Sequence, residues 1–254
     1  MKRIVSFLLR KVPRKYLQLV SHHGLRVLSL FYKGNAVECP VCLSTFRKFL
    51  PYGRKSRENA LCPNCLSLER HRLIWLYLKD KTDFFTKERK MLHIAPELCF
   101  IDRFESLTNL EYITGDIESP LAKVKMDIHE IPFEENSFDV IFCNHVLEHV
   151  HDDIKAMKEM RRVLKPGGWA ILQVPFFYPL KNETYEDWTI TSASDREKAF
   201  GQDDHVRMYG SDYGKRLASS GFKVTEEKFV LEQPKDRLER FALPVNEIIY
   251  RVEK

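Results

Sequence analysis

The feature that most constrains the fold is a regular alternation of short apolar runs and helical patterns that begins at Lys90. Each apolar run is bounded by turn residues, as buried strands are. A strand, a helix and a further strand in this order predict a parallel sheet with right-handed crossovers. We therefore predict a Rossmann-like α/β domain over residues 90–254, with a mostly parallel sheet and helices on both faces. The predicted strands are 91–95, 110–117, 122–128, 138–143 and 169–175.

Two helical patterns lie between these runs. Residues 97–107 form one, and residues 152–164 form the clearest one, with Pro166-Gly167-Gly168 as its stop. Glu148 and His149 fall at the predicted start of the second helix, where capping and packing account for both side chains. We therefore assign neither residue a catalytic role.

Four of the six cysteines form two close pairs, Cys39 with Cys42 and Cys62 with Cys65. Each pair encloses two residues and nineteen residues separate the pairs, which is the spacing of a four-thiolate zinc site. Four thiolates complete a tetrahedron, so such a zinc ion would be structural and would stabilise a module too small for a core of its own. The alternative is four ordinary reduced cysteines. We predict a zinc module with a linking helix over residues 34–80.

The charge is distributed unevenly along the chain. Residues 1–90 hold 20 Lys and Arg against 6 Asp and Glu, whereas the remainder holds 21 against 30. Residues 1–33 contain eight basic and no acidic residues among spaced apolar ones, which predicts a basic amphipathic helical segment. This segment would either lie on an anionic membrane surface or pack its apolar side on the main domain.

The basic region continues to position 57, where aromatic side chains are interleaved with it. Such a mixture would bind nucleic acid by phosphate neutralisation and base stacking, or it would be an exposed loop with a small apolar anchor. No apolar stretch is long enough to cross a bilayer, and no signal-peptide cleavage site follows the first apolar run. We expect a cytoplasmic protein, with peripheral attachment at the inner membrane face as the alternative.

Polar residues stand where three predicted strands end. Parallel sheets bind ligands beyond the carboxyl ends of their strands, so these residues are candidate ligands. Asp116, followed by Ile117, would accept hydrogen bonds from the hydroxyls of a ribose. Asp127 would accept from an adenine amino group, with Ile128 packed on the ring. Asn144 and His145 would face the place where reacting groups meet. Turn capping is the alternative role of both carboxylates.

Three runs together resemble the class I S-adenosylmethionine-dependent methyltransferases, in particular the group called type 11. They are DIHEIPF at 127–133, SFDVIFCNHVLEH at 137–149 and EMRRVLKPGG at 159–168. The resemblance implies S-adenosylmethionine as cofactor. It also implies seven strands, with the sixth near 220–224 and the seventh near 246–253 inserted antiparallel to the rest.

The first strand departs from the family pattern. The family has an acidic residue and a glycine-rich loop beneath the methionine part of the cofactor, whereas this chain reads Leu92-His-Ile-Ala-Pro-Glu97, without glycine. A loop without glycine cannot approach a ligand as closely. We therefore expect His93, Ala95 and Glu97 to hold the methionine end differently, with Glu97 binding its ammonium group.

A long insertion, residues 176–208, follows the fifth predicted strand. A loop of this length beside a ligand site indicates a lid or a substrate wall. Tyr178, Arg207 and Tyr209 would bind an anionic or sugar-like acceptor, or the stretch would only support the following helix. His145 and His205 are the candidate catalytic bases where an acceptor must lose a proton.

The function predicted from these features is methyl transfer from S-adenosylmethionine to a small molecule, a saccharide or a lipid. The alternative is a zinc-containing adaptor that binds nucleic acid or a membrane and whose Rossmann-like domain is not catalytic. A nicotinamide-dependent oxidoreductase is disfavoured, because it would need the glycine fingerprint more.

Overall fold

The computed structural model describes residues 29–53 and 56–254. Residues 1–28, which are most of the predicted basic segment, lie outside the described residues. The chain forms two compact units, each built from segments that are not consecutive in sequence. Of the described residues, the first unit comprises those up to Thr86, Glu97–Leu107 and Lys228–Glu247, and the second comprises Lys87–Pro96, Thr108–Glu227 and Ile248–Lys254.

The strands and helices of the described residues are numbered in chain order. The strands are β1 (Lys33–Glu38), β2 (Thr45–Phe46), β3 (Leu50–Tyr52), β4 (Arg57–Leu61), β5 (Arg89–Ile94), β6 (Leu110–Asp116), β7 (Val124–Lys125), β8 (Phe138–Asn144), β9 (Leu164–Gln173), β10 (Tyr185–Glu186), β11 (Arg207–Met208), β12 (Lys223–Glu227) and β13 (Ile249–Glu253). The α-helices are α1 (Glu69–Lys81), α2 (Leu98–Glu105), α3 (Asp153–Val163), α4 (Ala193–Phe200), α5 (Tyr213–Ser219) and α6 (Lys235–Arg240), with 3-10 helices at Leu30–Tyr32 and Phe229–Glu232.

A seven-stranded sheet in the order β7-β6-β5-β8-β9-β13-β12 is the centre of the second unit. The five strands from β7 to β9 are parallel, and β13 lies antiparallel between β9 and β12. Parallel strands are buried on both faces, which is why β8 is almost continuously apolar. The predicted Rossmann-like sheet and its antiparallel seventh strand are confirmed.

Helix α3 begins at Asp153, within one residue of the predicted start at 152. The Asp152 side chain accepts a hydrogen bond from the Lys155 amide at 2.8 Å and so caps the helix. Glu148 and His149 precede this cap in a loop, so they do not cap the helix as predicted. The interpretation of these two residues as helix-start residues is therefore wrong.

The Pro-Gly-Gly run follows the end of helix α3, as predicted for the helix stop, and lies within the next strand. Helix α3 ends at Val163 and strand β9 begins at the next residue. Within β9 the register with β8 shifts, since Phe138 lies opposite Leu164 while Val140 lies opposite Trp169. The run is therefore accommodated as an irregularity of the strand.

One apolar cluster forms the core of the second unit, where α3 and α5 pack with the sheet. The α3 residues Ala156, Met157, Met160 and Val163 are fully buried. Their spacing places them on one face of a helix with 3.6 residues per turn, which is the face that this amphipathic sequence buries.

The first unit contains the two small antiparallel pairs β1–β2 and β3–β4 together with α1, α2 and α6. Its aromatic residues are stacked, since the Trp75 ring lies 5.9 Å from that of Phe104 and the Phe100 ring lies 5.1 Å from the latter. Aromatic packing of this kind stabilises a unit that has little regular sheet. Among the residues that the structure describes, no helix combines the length and the apolar character needed to span a membrane.

Candidate functional site

The predicted ribose ligand, Asp116, is the last residue of β6. Its Oδ1 accepts hydrogen bonds from the amides of Glu118 and Ser119 at 2.7 and 2.6 Å, so one carboxylate oxygen holds the turn that follows the strand. Ile117 is 55% exposed, which is unusual for a large apolar side chain beside a buried strand. A carboxylate oriented by its own turn and an exposed apolar neighbour fit a nucleoside.

Asp127 lies beyond the end of β7 and is exposed. Its Oδ1 accepts from the amide of His129 at 2.8 Å, and the His129 imidazole lies 2.7 Å away. The hydrogen bond from the backbone of His129 lowers the pKa of Asp127, so the side chain is a fixed anion. Ile128 is buried against the core of the second unit.

The loop after β5 reaches a left-handed backbone without glycine. Ala95 has φ +49°, and its amide donates to the carbonyl of Gly115 at 2.9 Å. This is the conformation that glycine adopts without strain. The chain therefore makes a glycine-type turn at this point.

His93 is fully buried in β5, with Nδ1 2.7 Å from the Tyr112 hydroxyl. Glu97 belongs to the first unit, where its Oε1 lies 3.5 Å from His71 Nε2. Packing and pairing therefore account for both side chains as they stand. Their predicted contacts with a cofactor stay predictions.

Asn144 ends β8 and is buried, and His145 follows it with φ +56°. The His145 amide donates to the carbonyl of Gln173 at 2.8 Å, so the loop is fixed to β9 at this residue. Nδ1 of His145 lies 3.5 Å from Oε1 of Glu148.

Glu148 is the centre of a cluster that sequence interpretation missed. Its side chain is 1% exposed, and Oε1 lies 3.9 Å from His149 Nε2. Burial raises the pKa of Glu148, but interactions with the imidazoles of His145 and His149 outweigh burial and hold the pKa below its ordinary value.

His205, from the end of the insertion, is fully buried and its ring is 4.7 Å from that of His149. Burial lowers the pKa of His205.

A sequence signal for this cluster exists only in part. Glu148 and His149 are adjacent in the sequence and close to the end of a predicted strand, and this proximity can be detected from the sequence. Their approach to His205, more than fifty positions later, depends on how the insertion folds back: the Val206 amide donates to the Glu148 carbonyl at 2.9 Å.

Arg207 and Tyr209, predicted as substrate residues, are buried and bonded within the protein. The Arg207 guanidinium donates to the carbonyls of Leu147, Val150 and His151, and to Glu186 at 2.6 Å. The Tyr209 hydroxyl donates to Asp153 at 2.7 Å. These contacts give both residues a positioning role.

The role in substrate binding predicted for Arg207 and Tyr209 stays a prediction. Tyr178 is 67% exposed and available for contact.

In the first unit the four predicted metal ligands, Cys39, Cys42, Cys62 and Cys65, converge, with their sulfurs all within 4.8 Å of one another. The Cys39 and Cys65 sulfurs are 3.6 Å apart, and those of Cys42 and Cys62 are 3.7 Å apart. Zn–S bonds of about 2.3 Å place tetrahedral sulfurs about 3.8 Å apart. The separations therefore fit one metal ion and are too long for disulfides.

The two cysteine turns have the same backbone geometry. Leu43 donates to the Cys39 carbonyl at 2.8 Å, and Leu66 donates to the Cys62 carbonyl at 3.0 Å. Both leucines have positive φ, 61° and 64°. The repeated turn presents both pairs of sulfurs in the same way.

Arg72 is a residue of the first unit that sequence interpretation missed. It is fully buried and donates to the carbonyls of Ala60, Ser67, Phe241 and Ala242. Burial lowers the pKa of Arg72, and the nearby charges of Cys39 and other acidic groups oppose this effect. A buried cation that interacts with Cys39, Cys62 and Cys65 offsets the negative charge of a thiolate cluster.

The strand order, with its antiparallel strand inserted before the last, defines the fold class. The second unit has the Rossmann-like fold of S-adenosylmethionine-dependent methyltransferases. Residues 90–172 match the family described as "Methyltransferase domain", which confirms the resemblance found in the sequence.

Curated relatives match over short regions. A tRNA U34 carboxymethyltransferase of Campylobacter curvus is 30% identical over 89 residues, which is 34% of this chain and 30% of that protein. A demethylmenaquinone methyltransferase of Staphylococcus aureus is 51% identical over 45 residues, 18% of this chain and 19% of that protein. The chain thus spans less than a third of the length of these relatives.

A similar solved structure is an S-adenosylmethionine-dependent methyltransferase from Mesorhizobium loti, with 13% identity and a TM-score of 0.46. The similarity covers 72% of this chain and 98% of that chain.

Proposed function

We propose that the protein is an S-adenosylmethionine-dependent methyltransferase. The observation that carries the proposal is the placement of Asp116 at the end of β6 and of Asp127 just beyond the neighbouring parallel strand β7. Carboxylates at this edge would bind the ribose hydroxyls and the adenine amino group of the cofactor. Exposed Ile117 would pack on the adenine ring, whereas Ile128 is already buried in the core.

The chemistry asks little of the protein beyond alignment and exclusion of water. S-adenosylmethionine supplies the methyl group when bound: its C–S bond breaks with both electrons remaining on sulfur, while a lone pair of the acceptor forms the new bond. A proton leaves a hydroxyl or amine acceptor in the same step or before it. His145 would receive that proton, because its Nε2 is buried without a hydrogen-bond partner and the residue follows β8 directly.

Calorimetry with S-adenosylhomocysteine and S-adenosylmethionine tests this proposal. We expect micromolar binding, and we expect Asp116→Asn to weaken it by at least about tenfold, because a charged hydrogen-bond acceptor is lost. The amide oxygen of asparagine can still hold the turn, so the fold is retained.

Asp187→Asn is the matched control. Asp187 is likewise an aspartate whose carboxylate accepts from the amide two residues later, at 3.0 Å from Thr189. Binding unchanged in both variants would exclude the nucleoside site, and absence of binding to the metal-replete protein would exclude the methyltransferase proposal.

We further propose that the cysteine cluster holds a structural Zn²⁺ ion. The support is the convergence of the four sulfurs, since four thiolates fill the tetrahedral shell of a structural zinc ion. Elemental analysis should find one Zn²⁺ per chain at this cluster. Cys39→Ser should lose it, and Cys99→Ser, which changes a buried cysteine outside the cluster, should retain it.

For the acceptor we propose a small molecule, a saccharide or a lipid. Attachment of the basic region, residues 1–57, to an anionic membrane or to nucleic acid also stays a proposal. Incubating cell extracts with labelled S-adenosylmethionine and identifying the labelled fraction would separate these classes of acceptor.

A further inference from the structure

The second unit contains a cluster of two imidazoles and one carboxylate in which Glu148 and His205 are buried and His149 is partly exposed. The possible ligand atoms of Glu148, His149 and His205 all lie within 4.8 Å of one another. Oε2 of Glu148 and Nε2 of His205 are buried and have no hydrogen-bond partner. Enclosing a carboxylate oxygen and a ring nitrogen in this way costs several kcal/mol unless something binds them.

The separation of Glu148 and His149 is too long for a direct hydrogen bond. Glu148 Oε1 lies 3.9 Å from His149 Nε2, whereas a direct N–H···O bond is about 2.9 Å. Two ligands of one metal ion, each bonded at about 2.1 Å, lie about 3 to 4 Å apart. Small side-chain rotations would bring all three groups to one ion.

The hydrogen bonds of both imidazoles point their Nε2 atoms into the cluster. His149 Nδ1 lies 3.3 Å from the carbonyl of Asp204, and His205 Nδ1 lies 3.3 Å from the carbonyl of Phe200. A carbonyl only accepts, so each Nδ1 carries the proton and each Nε2 carries the lone pair. Orientation of this kind is the usual support of metal-binding histidines.

From this geometry we propose that Glu148, His149 and His205 bind a divalent first-row transition-metal ion, at a site separate from the cysteine cluster. Two imidazoles and a carboxylate suit such ions and leave coordination positions open for a substrate. His149 is 34% exposed on its side chain, which gives an ion access from solvent.

If the proposed function is correct, the position of this metal site indicates the class of substrate. The cluster lies in the loop after β8, at the sheet edge where ligands bind. A divalent ion lowers the pKa of a hydroxyl group that reaches it. We therefore assign the acceptor to hydroxyl-bearing compounds. The acceptor oxygen would lose its proton to His145 or to solvent, and would form the O–CH₃ bond as the C–S bond breaks.

Titration of the zinc-replete full chain with Mn²⁺, followed by electron paramagnetic resonance, tests the site, because Mn²⁺ prefers oxygen and nitrogen ligands to thiolates. We expect one Mn²⁺ per chain. Glu148→Gln and His149→Gln should each weaken binding by about 100-fold or more, since changes outside the ligand set already cost 10- to 100-fold. His151→Gln, a change in the same loop outside the cluster, should bind as the unmodified protein does.

Circular dichroism and zinc content would establish that the variants are folded. Absence of Mn²⁺ binding at millimolar concentration, or equal binding by all four proteins, would overturn the metal site.

Calorimetry with S-adenosylhomocysteine separates this inference from the proposed function. Mn²⁺ binding without S-adenosylhomocysteine binding would leave the metal site standing and remove the assigned acceptor class. The reverse result would leave the methyltransferase proposal standing and remove the metal site.

Discussion

The guanidinium group of Arg207 donates to the carbonyl of Val150 at 2.6 Å, and this bond fixes β11 to the loop that carries Glu148 and His149. The same side chain bonds Glu186 at 2.6 Å and is 1% exposed. A buried cation with several acceptors determines the shape of the loop around it. Lysine cannot reproduce the planar fork of donors.

We expect Arg207→Lys to lower the free energy of unfolding by about 3 kcal/mol, since it breaks a buried charged network. Urea unfolding monitored by circular dichroism measures this change. Arg196→Lys, at a half-buried arginine of the insertion, should change the value by less than about 1 kcal/mol. Equal effects of the two substitutions would contradict a special role for Arg207.

Asp153 predicts how the second unit responds to acid. Burial raises the pKa of Asp153, but bonds from Arg216 and Tyr209 and the charge of Arg207 outweigh burial, so the pKa in the folded protein is below its ordinary value. The stability that Asp153 contributes is therefore complete above about pH 4, and it is lost as the pH falls through the folded-state pKa.

We expect Asp153→Asn to reduce the free energy of unfolding at pH 7 by about 3 kcal/mol and to make its fall below about pH 4 shallower. Urea unfolding of both proteins across this pH range measures the difference. Protonation of other carboxylates affects both proteins equally and therefore cancels in the comparison. Exposed Asp236→Asn should follow the unmodified protein. A parallel pH dependence for Asp153→Asn would refute the assignment.

The left-handed backbone of Ala95 predicts opposite effects of two substitutions. An L-residue in this region is strained by about 1 kcal/mol. Ala95→Gly should raise the free energy of unfolding by about 0.5 kcal/mol, because relief of strain exceeds the gain in unfolded-state entropy. Ala95→Val should lower it by about 1 to 2 kcal/mol, since a β-branched residue is disfavoured at positive φ. Thermal unfolding checks both signs.

Arg72 predicts a link between the cysteine cluster and residues far along the chain. Arg72→Met would leave the carbonyls of Ala60, Ser67 and Ala242 without their donor and the sulfurs without a compensating charge. We expect a loss of about 3 kcal/mol and faster release of zinc to a chromogenic chelator. Arg57→Met removes an exposed pair with Glu69 and should cost less than about 1 kcal/mol. Unchanged zinc release from Arg72→Met would show that the positive charge of Arg72 does not stabilise the metal-bound cysteine cluster.

The parts of the fold that depend on local patterns were predictable. The apolar runs located β5, β6, β8 and β9, because buried parallel strands must be apolar on both faces. The cysteine spacing located the cluster in the same way, since two turns of identical form bring four sulfurs together.

Features that depend on long-range packing were not predictable. His205 reaches Glu148 only because the insertion folds back on the loop after β8, which no periodicity records. Positive φ at Ala95 was equally hidden, because the residue type there does not indicate it. Arg72 and Arg207 are buried because distant carbonyls surround them, which no local sequence pattern indicates.

The discontinuity of the first unit has a consequence for biosynthesis. Arg72 donates to the carbonyl of Ala242 at 2.7 Å, and Arg240 lies 2.9 Å from Glu38. The cysteine turns are therefore made early by the ribosome, but the unit around them is complete only when residues 228–247 have left the exit tunnel. Nearly all of the second unit is translated in between. The first unit therefore stays incomplete during most of the synthesis of the chain.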